Sequence, residues 1–327
     1  MNKSFSRIAI VRLSALGDIV NTAVVLQIIH DYYPNALIHW YVEEAFAPIL
    51  KAHPLIDKVI AIPLKKIKKQ KSLSLLRATI QSLRTAQPYD QIIDTQGLLK
   101  SAIVASLLPG PVHGFDRNSA REGIASWFYQ TTSTIAYEMN VIKRNVMVIT
   151  QALHIPYSDA LIEEKSPIFL VDALSEIEKK IALVIGASWS SKCYPKEHFA
   201  ALCDILPLPC HLIWGSESEY QDTQWIAQHS SNAVIADKMS LPQLVKFIAH
   251  CDLTIGNDTG PTHMAWAMNR PSITLFGPTN ERMIYPTSIN IGIKSPSVVD
   301  IYHINRNDFS IKQIEPQYIA EKAIALL

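Results

Sequence analysis

Short apolar, β-branched runs alternate along this chain with longer segments whose apolar residues recur at three- and four-residue spacing, and no other feature limits its folds as strongly. The β-rich runs are IAIVRL (8–13), ALIHWYV (36–42), KVIAIP (58–63), QIIDT (91–95), IALVIGAS (181–188), CHLIWG (210–215), AVIAD (233–237), DLTIGND (252–258) and SITLFG (272–277). Between them lie helix-period segments such as DIVNTAVVLQIIHDYY, KEHFAALCDIL and LPQLVKFIAHC. Repeated strand–helix–strand order means βαβ units and a parallel sheet, so the chain reads as α/β. Tyr33, Pro34 and Asn35 end the first helix, because proline disfavours helical geometry in the residue before it. A polar, poorly periodic stretch from Pro156 to Ser175 interrupts the pattern and reads as a linker. A length of 327 residues fits two domains, here 1–165 and 166–327, each with a Rossmann-like parallel sheet. Two such domains would face each other across a cleft, with ligands at the carboxyl ends of the strands. The last helix, from about Glu315 to Leu327, caps the second domain or crosses back to the first.

With 48% hydrophobic residues the chain can bury two sizeable cores. A formal net charge of +1 argues against a dedicated nucleic-acid binder. The charge is uneven: residues 1–165 carry 18 Lys+Arg against 13 Asp+Glu, while residues 166–327 carry 12 against 16, which is +5 and −4. An acidic partner is therefore expected on the first half. Cys193, Cys203, Cys210 and Cys251 include no C-x-x-C pair and no zinc-site spacing, as expected for reduced thiols in a cytoplasmic protein. No signal-peptide cleavage site follows the first strand, and no run reaches the ~18 apolar residues that would span a bilayer. A soluble protein is expected, with contact at a membrane surface left open.

The loops after strands carry the chemistry. RLSALGDIVNTAVV contains only Gly17, which is not the G-x-G-x-x-G dinucleotide fingerprint. Asp18 there is either the N-cap of the following helix or a general base facing the cleft. In GASWSSKCYPKEHF, Ser188, Ser190, Ser191 and Lys192 offer hydroxyls and an ammonium to phosphate oxygens, although a Ser-rich turn can be simply solvated. Glu219 of IWGSESEY can accept from sugar hydroxyls or complement the helix dipole from the first turn.

The stretch IGNDTGPTHMAWAM holds an Asp-Thr-Gly triplet. An aspartic protease needs two such carboxylates sharing a proton in a β-rich frame, and this chain offers one in an α/β pattern. A zinc site fails too, since Asp258 and His263 lack a third ligand at recognisable spacing. A strand, a turn and a helix remain, with the backbone N–H groups of Thr259 and Gly260 aimed at an anion. FGPTN (276–280) would wall the same pocket.

Lys65, Lys66, Lys68, Lys69 and Lys71 cluster in PLKKIKKQK. A charge run of this kind is either a solvated loop or a clamp for an acidic acceptor, such as a phosphorylated or carboxylated glycolipid at an anionic membrane. HGFDRNSARE supplies Arg121, suited to bidentate contact with a carboxylate or phosphate.

Together SALGD, WYVEEAFAPI, the basic run, IIDTQGLLKSA, HGFDRNSARE, the Lys192 turn, WGSESE, KMSL, NDTGPTHMAWA and ITLFGPT resemble, nearly end to end, the ADP-heptose:lipopolysaccharide heptosyltransferases. These are family 9 inverting glycosyltransferases of the GT-B architecture, and the pattern is most like the type that adds the first heptose to the Kdo sugar of the inner core. The resemblance implies Asp18 as general base, with Ser14 of the same loop among the donor-binding residues. It implies a donor site in which Ser188, Lys192, Thr259 and Gly260 meet the diphosphate, with Asp258 and His263 beside heptose and diphosphate. It also implies Glu219 on the ribose and Met239 at the adenine. Lys65, Lys66, Lys68, Lys69 and Arg121 would receive the acceptor's phosphates and carboxylates. By the same resemblance ADP-heptose is the donor, Kdo-lipid A the acceptor, and no cofactor or metal is required. The enzyme would be cytoplasmic, peripheral to the anionic inner membrane, with an acceptor-binding first domain and a donor-binding second. Two departures stand out: Ala187-Ser188-Trp189-Ser190-Ser191 at the donor turn, and Asn140 where related sequences carry a histidine.

The implied reaction is a single displacement at the anomeric carbon, with Asp18 taking the acceptor proton and ADP leaving against the helix start after Asp258 and Lys192. Rival readings are a heptosyltransferase adding a later heptose, a non-catalytic two-domain sugar-binding protein, and a sugar-nucleotide epimerase. The second needs a secretory signal and the third a fuller glycine fingerprint.

Overall fold

The computed structural model describes residues 4–172 and 178–327. The chain divides into two compact units, Met1–Leu170 and Val171–Leu327. In the first unit six strands run β1 Arg7–Val11, β2 Leu37–Glu43, β3 Lys58–Ile62, β4 Gln91–Asp94, β5 Val112–Phe115 and β6 Thr131–Ser133. The second has β7 Ile181–Val184, β8 Cys210–Ile213, β9 Ala233–Ile235, β10 Leu253–Asn257, β11 Ser272–Phe276 and β12 Asn290–Lys294. The sheet orders are β3-β2-β1-β4-β5-β6 and β12-β11-β10-β7-β8-β9. Every pairing is parallel. Read in the same direction, both sheets have the doubly wound order of a dinucleotide-type fold.

Burial on both faces explains why the central strands are continuous apolar runs rather than alternating ones. β4, β5, β7, β10 and β11 are buried at every position. In the first unit Ala9, Val11 and Ile92 pack with Tyr41, Val104 and Leu108. In the second, Leu183, Ile255 and Ile273 pack with Phe199, Leu202 and Ile319.

Three local differences from the sequence expectation have physical causes. The helix expected from Asp18 to Tyr33 is two, Leu16–Thr22 and Val25–Tyr32. Thr22 sits at the break; its hydroxyl donates back to the Asp18 carbonyl at 2.6 Å and accepts from Asn145 Nδ2 at 2.9 Å, and such back-bonding bends helices. The run 181–188 leaves the sheet after Val184, because the Ile185 and Gly186 carbonyls accept from the Asn257 side chain at 2.8 and 3.3 Å. Three strands have no counterpart among the nine apolar runs: the interior β5, whose sequence VHGF is broken by His and Gly, and the edge strands β6 and β12. Within the expected linker, Ala160–Glu163 is helical and Ile162, Ile168 and Phe169 are buried; its last residues, 173–175, lie outside the described residues. The final helix, Pro316–Ile324, packs against Lys196–Ile205 of its own unit.

Candidate active site

In a doubly wound sheet a crevice opens where the strand order reverses, outside the carboxyl ends of the two central strands. That point falls between β1 and β4 in the first unit and between β7 and β10 in the second. Most of the chemistry-bearing side chains stand in the four loops that leave these strands.

After β1, Asp18 lies in the first turn of Leu16–Thr22, whose N-cap is Ala15. Asp18 is thus not the N-cap but the third helical residue. Its Oδ2 accepts from the Ala15 N–H at 3.1 Å, so the carboxylate satisfies the helix start by reaching back. Its Oδ1 pairs with Arg12 Nη2 at 2.9 Å, and the side chain keeps 26% of its surface in solvent. Arg12 is buried and its other nitrogen Nη1 donates to the Thr95 carbonyl. Ser14 Oγ accepts from Lys100 Nζ at 2.6 Å and from Gln96 Nε2 at 3.2 Å. Gln96 also accepts from the Leu13 N–H at 2.9 Å, tying the β1 and β4 loops together. The arrangement presents a carboxylate that is held in place but open to solvent, as a general base must be.

The equivalent point of the second unit is drier. Asp258 is buried; its Oδ2 takes Lys192 Nζ at 2.7 Å and its Oδ1 takes His263 Nε2 at 3.0 Å. Nε2 must be the donor, since an ionised carboxylate only accepts. Burial pushes the Asp258 carboxyl up, but the Lys192 ammonium and the His263 hydrogen bond outweigh it and hold the group well below the usual carboxylate range. Thr259 is the N-cap of Gly260–Ala267 and makes no side-chain cap to it. Thr259 Oγ1, Ser191 Oγ, Thr279 Oγ1 and His263 Nδ1 are all buried without a hydrogen-bond partner. A helix start, the Lys192 ammonium and the unpaired polar atoms of Thr259 and His263, with Ser191 next to Lys192 in the chain, suit an anion with several oxygens. Gly256 makes the close approach possible: a Cβ there would lie 2.5 Å from Val184 Cβ and 2.8 Å from its carbonyl oxygen. Asn257 closes the junction by accepting from the Tyr194 N–H at 2.9 Å.

The other expected residues are dispersed. Ser188 is exposed in the loop carrying Lys192. Glu219 stands in the first turn of Glu217–His229 and reaches back to the Gly215 and Ser216 N–H groups at 2.7 and 3.1 Å. It lines a cavity of about 280 Å³ with Gly186, Ala187, Tyr194 and Asp222. Met239 is half-buried in the loop after β9. The lysine run is no loop but the helix Leu64–Gln70, with Lys65, Lys66, Lys68 and Lys69 exposed. Lysine is a good helix former, and Leu64 and Ile67, one turn apart, are half-buried under it. Arg121 is exposed in the separate loop after β5. Sequence reasoning passed over Arg12, Gln96, Lys100 and Arg306. Arg306 lies 4.9 Å from the Trp189 ring, which also has Lys192 at 5.1 Å. Only the clustering of Lys100 with the motif IIDTQGLLKSA hinted at any of them.

Residues 76–300 match the family model described as glycosyltransferase family 9 (heptosyltransferase). The chain belongs to this family. The heptosyltransferase is 38% identical to lipopolysaccharide heptosyltransferase 1 of Campylobacter coli across 96% of each chain. Against lipopolysaccharide heptosyltransferase 2 of Escherichia coli K12 the identity is 24%, across 98% of each. Among solved structures, E. coli heptosyltransferase WaaC with ADP-2-deoxy-2-fluoro heptose is 25% identical over 98% of this chain and all of its own, with a TM-score of 0.82. The heptosyltransferase therefore has the GT-B type of construction, two Rossmann-like units, and is a glycosyltransferase. Among its described residues no three of His, Cys, Asp and Glu gather as a metal-holding group, and no helix is long and apolar enough to cross a membrane.

Proposed function

We propose that this heptosyltransferase moves heptose from ADP-L-glycero-D-manno-heptose to the Kdo residue of Kdo-lipid A, with inversion, as the first heptose of the lipopolysaccharide inner core. Identity to a type 1 enzyme well above that to a type 2 enzyme supports this acceptor over a later one. The observation that carries the chemistry is the buried Lys192–Asp258–His263 cluster at the start of Gly260–Ala267.

In this reading the donor's diphosphate takes the remaining protons of the Lys192 ammonium, the Thr259 and Gly260 N–H groups and the Ser188 hydroxyl. Asp258 fixes Lys192 and His263 in place beside heptose and diphosphate. Negative charge growing on ADP is met by groups already oriented, so no reorganisation is needed as the bond breaks. Glu219 holds the ribose and Met239 the adenine. On the acceptor, Asp18 takes the proton of the attacking hydroxyl, while Lys65, Lys66, Lys68, Lys69 and Arg121 receive phosphates and carboxylates. The exposed lysine helix also supports peripheral contact with the anionic cytoplasmic face of the inner membrane. The first unit thus serves the acceptor and the second the donor.

The test is ADP release from ADP-heptose with Kdo-lipid A, with heptosylated Kdo-lipid A, and with no acceptor. Release only with the unheptosylated acceptor is expected. Release only with the heptosylated one would make the enzyme a later transferase, and release with neither would refute the proposal.

A further inference from the structure

The loop carrying Asp18 is flanked by two cations in different situations. Arg12 is spent: it is buried, paired with Asp18 and bonded to the Thr95 carbonyl. Lys100 is not. Among the described residues it makes no ion pair, and its one hydrogen bond, 2.6 Å long, goes to the neutral oxygen of Ser14. The acids that influence it from a distance are engaged elsewhere, Glu43 with the Lys65 N–H at 3.1 Å and Glu122 with the Leu99 N–H at 2.7 Å.

Ser14 is similarly unfinished. Its oxygen accepts from both Lys100 and Gln96, which occupies its two lone pairs and leaves the hydroxyl proton to be donated outward. Crowding by the loop strips water from the Lys100 ammonium and lowers its pKa, with Glu43 pulling the other way and Arg12 reinforcing the shift. A partly desolvated cation without a counterion gains most from a bound anion. Asp18 raises the need for one: an acidic acceptor brought next to a carboxylate base is repelled unless a cation stands beside it.

We propose that Lys100, with the Ser14 hydroxyl, binds the carboxylate of the acceptor sugar beside Asp18 and so selects an acidic sugar. This assignment rests on the transfer reaction proposed above and adds to it a residue that the exposed lysine helix does not replace. The lysines of that helix and Lys100 are all exposed, but Lys100, second in the helix Leu99–Ser106, is tied by its hydrogen bond to Ser14 in the loop of the base.

The experiment compares kcat/KM of the wild type, Lys100→Gln and Lys100→Arg on Kdo-lipid A and on the same acceptor with its Kdo carboxyl reduced to the alcohol. On the native acceptor Lys100→Gln is expected to lose about 10- to 100-fold, the worth of a charged hydrogen bond, and Lys100→Arg clearly less. On the reduced acceptor, where the wild type is already slow, Lys100→Gln should lose less than about 3-fold. Equal losses on both acceptors, with an unchanged thermal midpoint, would mean that Lys100 merely supports the loop, and would overturn the assignment. So would a loss of under about 2-fold on the native acceptor. Absence of wild-type turnover on either acceptor would instead refute the transfer reaction, and this assignment with it.

Discussion

Lys192→Met separates a built ion cluster from an incidental one. Methionine keeps most of the aliphatic stem and removes the ammonium that lies 2.7 Å from Asp258 Oδ2. Asp258 has 2% of its side chain in solvent, so the stranded carboxylate cannot recover water. Breaking a buried pair by deleting one partner costs about 3–5 kcal/mol, and because His263 still donates to Oδ1 the lower end applies, about 3 kcal/mol. Asp258→Asn strands the ammonium instead and should cost a similar amount. The double variant leaves neither charge unpaired, so its loss should fall well short of the sum, with a coupling of about 1.5 kcal/mol or more against 0.2–1 for an exposed pair. Urea unfolding of the four proteins gives the cycle, followed by the fluorescence of Trp266, buried in the helix that starts beside Asp258. The same variants titrated with ADP should lose affinity in parallel. Additive losses to within about 0.5 kcal/mol would refute the claim that the two charges depend on each other.

Asp18→Asn should lower turnover about 100- to 10,000-fold in the ADP-release assay while ADP affinity changes little; near-normal turnover would exclude Asp18 as base. Replacing Lys65, Lys66, Lys68 and Lys69 together by glutamine should raise the acceptor KM, less so at high salt; an unchanged KM would make the helix a merely solvated face. His53 and His113 are each held down to about 4 by burial. Their folded pKa lies below the unfolded value, so the stability they contribute is complete above about pH 6.5 and is lost as pH falls toward 4, at up to about 1.4 kcal/mol per pH unit for each. Urea midpoints of the first unit between pH 7 and 4 should fall accordingly, and His53→Gln with His113→Gln should flatten the profile.

How much of this was legible in the sequence depended on the distance over which the information was spread. The nine apolar runs all became strands, seven of them interior, where parallel strands need apolar sequence, and two, β3 and β9, at edges; the interior β5, Val112–Phe115, is interrupted by His113 and Gly114, and β6, Thr131–Ser133, is polar. The turn of Asp258 to Gly260 was readable because strand, turn and helix start are adjacent in the chain. Its pairing with Lys192 spans 66 positions and the Ser14–Lys100 bond 86, separations at which one sequence carries no register. Asp18 could be read as an N-cap or as a base because Gly17 just before it looks like a turn; the helix in fact begins at Leu16, and the same carboxylate serves its start from the third position. Arg12 resembles any cation at a strand end until the fold buries it.

The two sheets share one strand order, and each keeps its reactive groups on its own central loops. On the function proposed above, the grip on the leaving nucleotide and the choice of what receives the sugar are written in separate stretches of the gene. A lineage can drift in the loops after β1, β4 and β5, and so come to decorate a different surface sugar, while the inherited donor grip is left untouched. Selection on the cell envelope, which changes quickly, would then act mainly on the first unit, and selection on the nucleotide-sugar supply, which changes slowly, on the second.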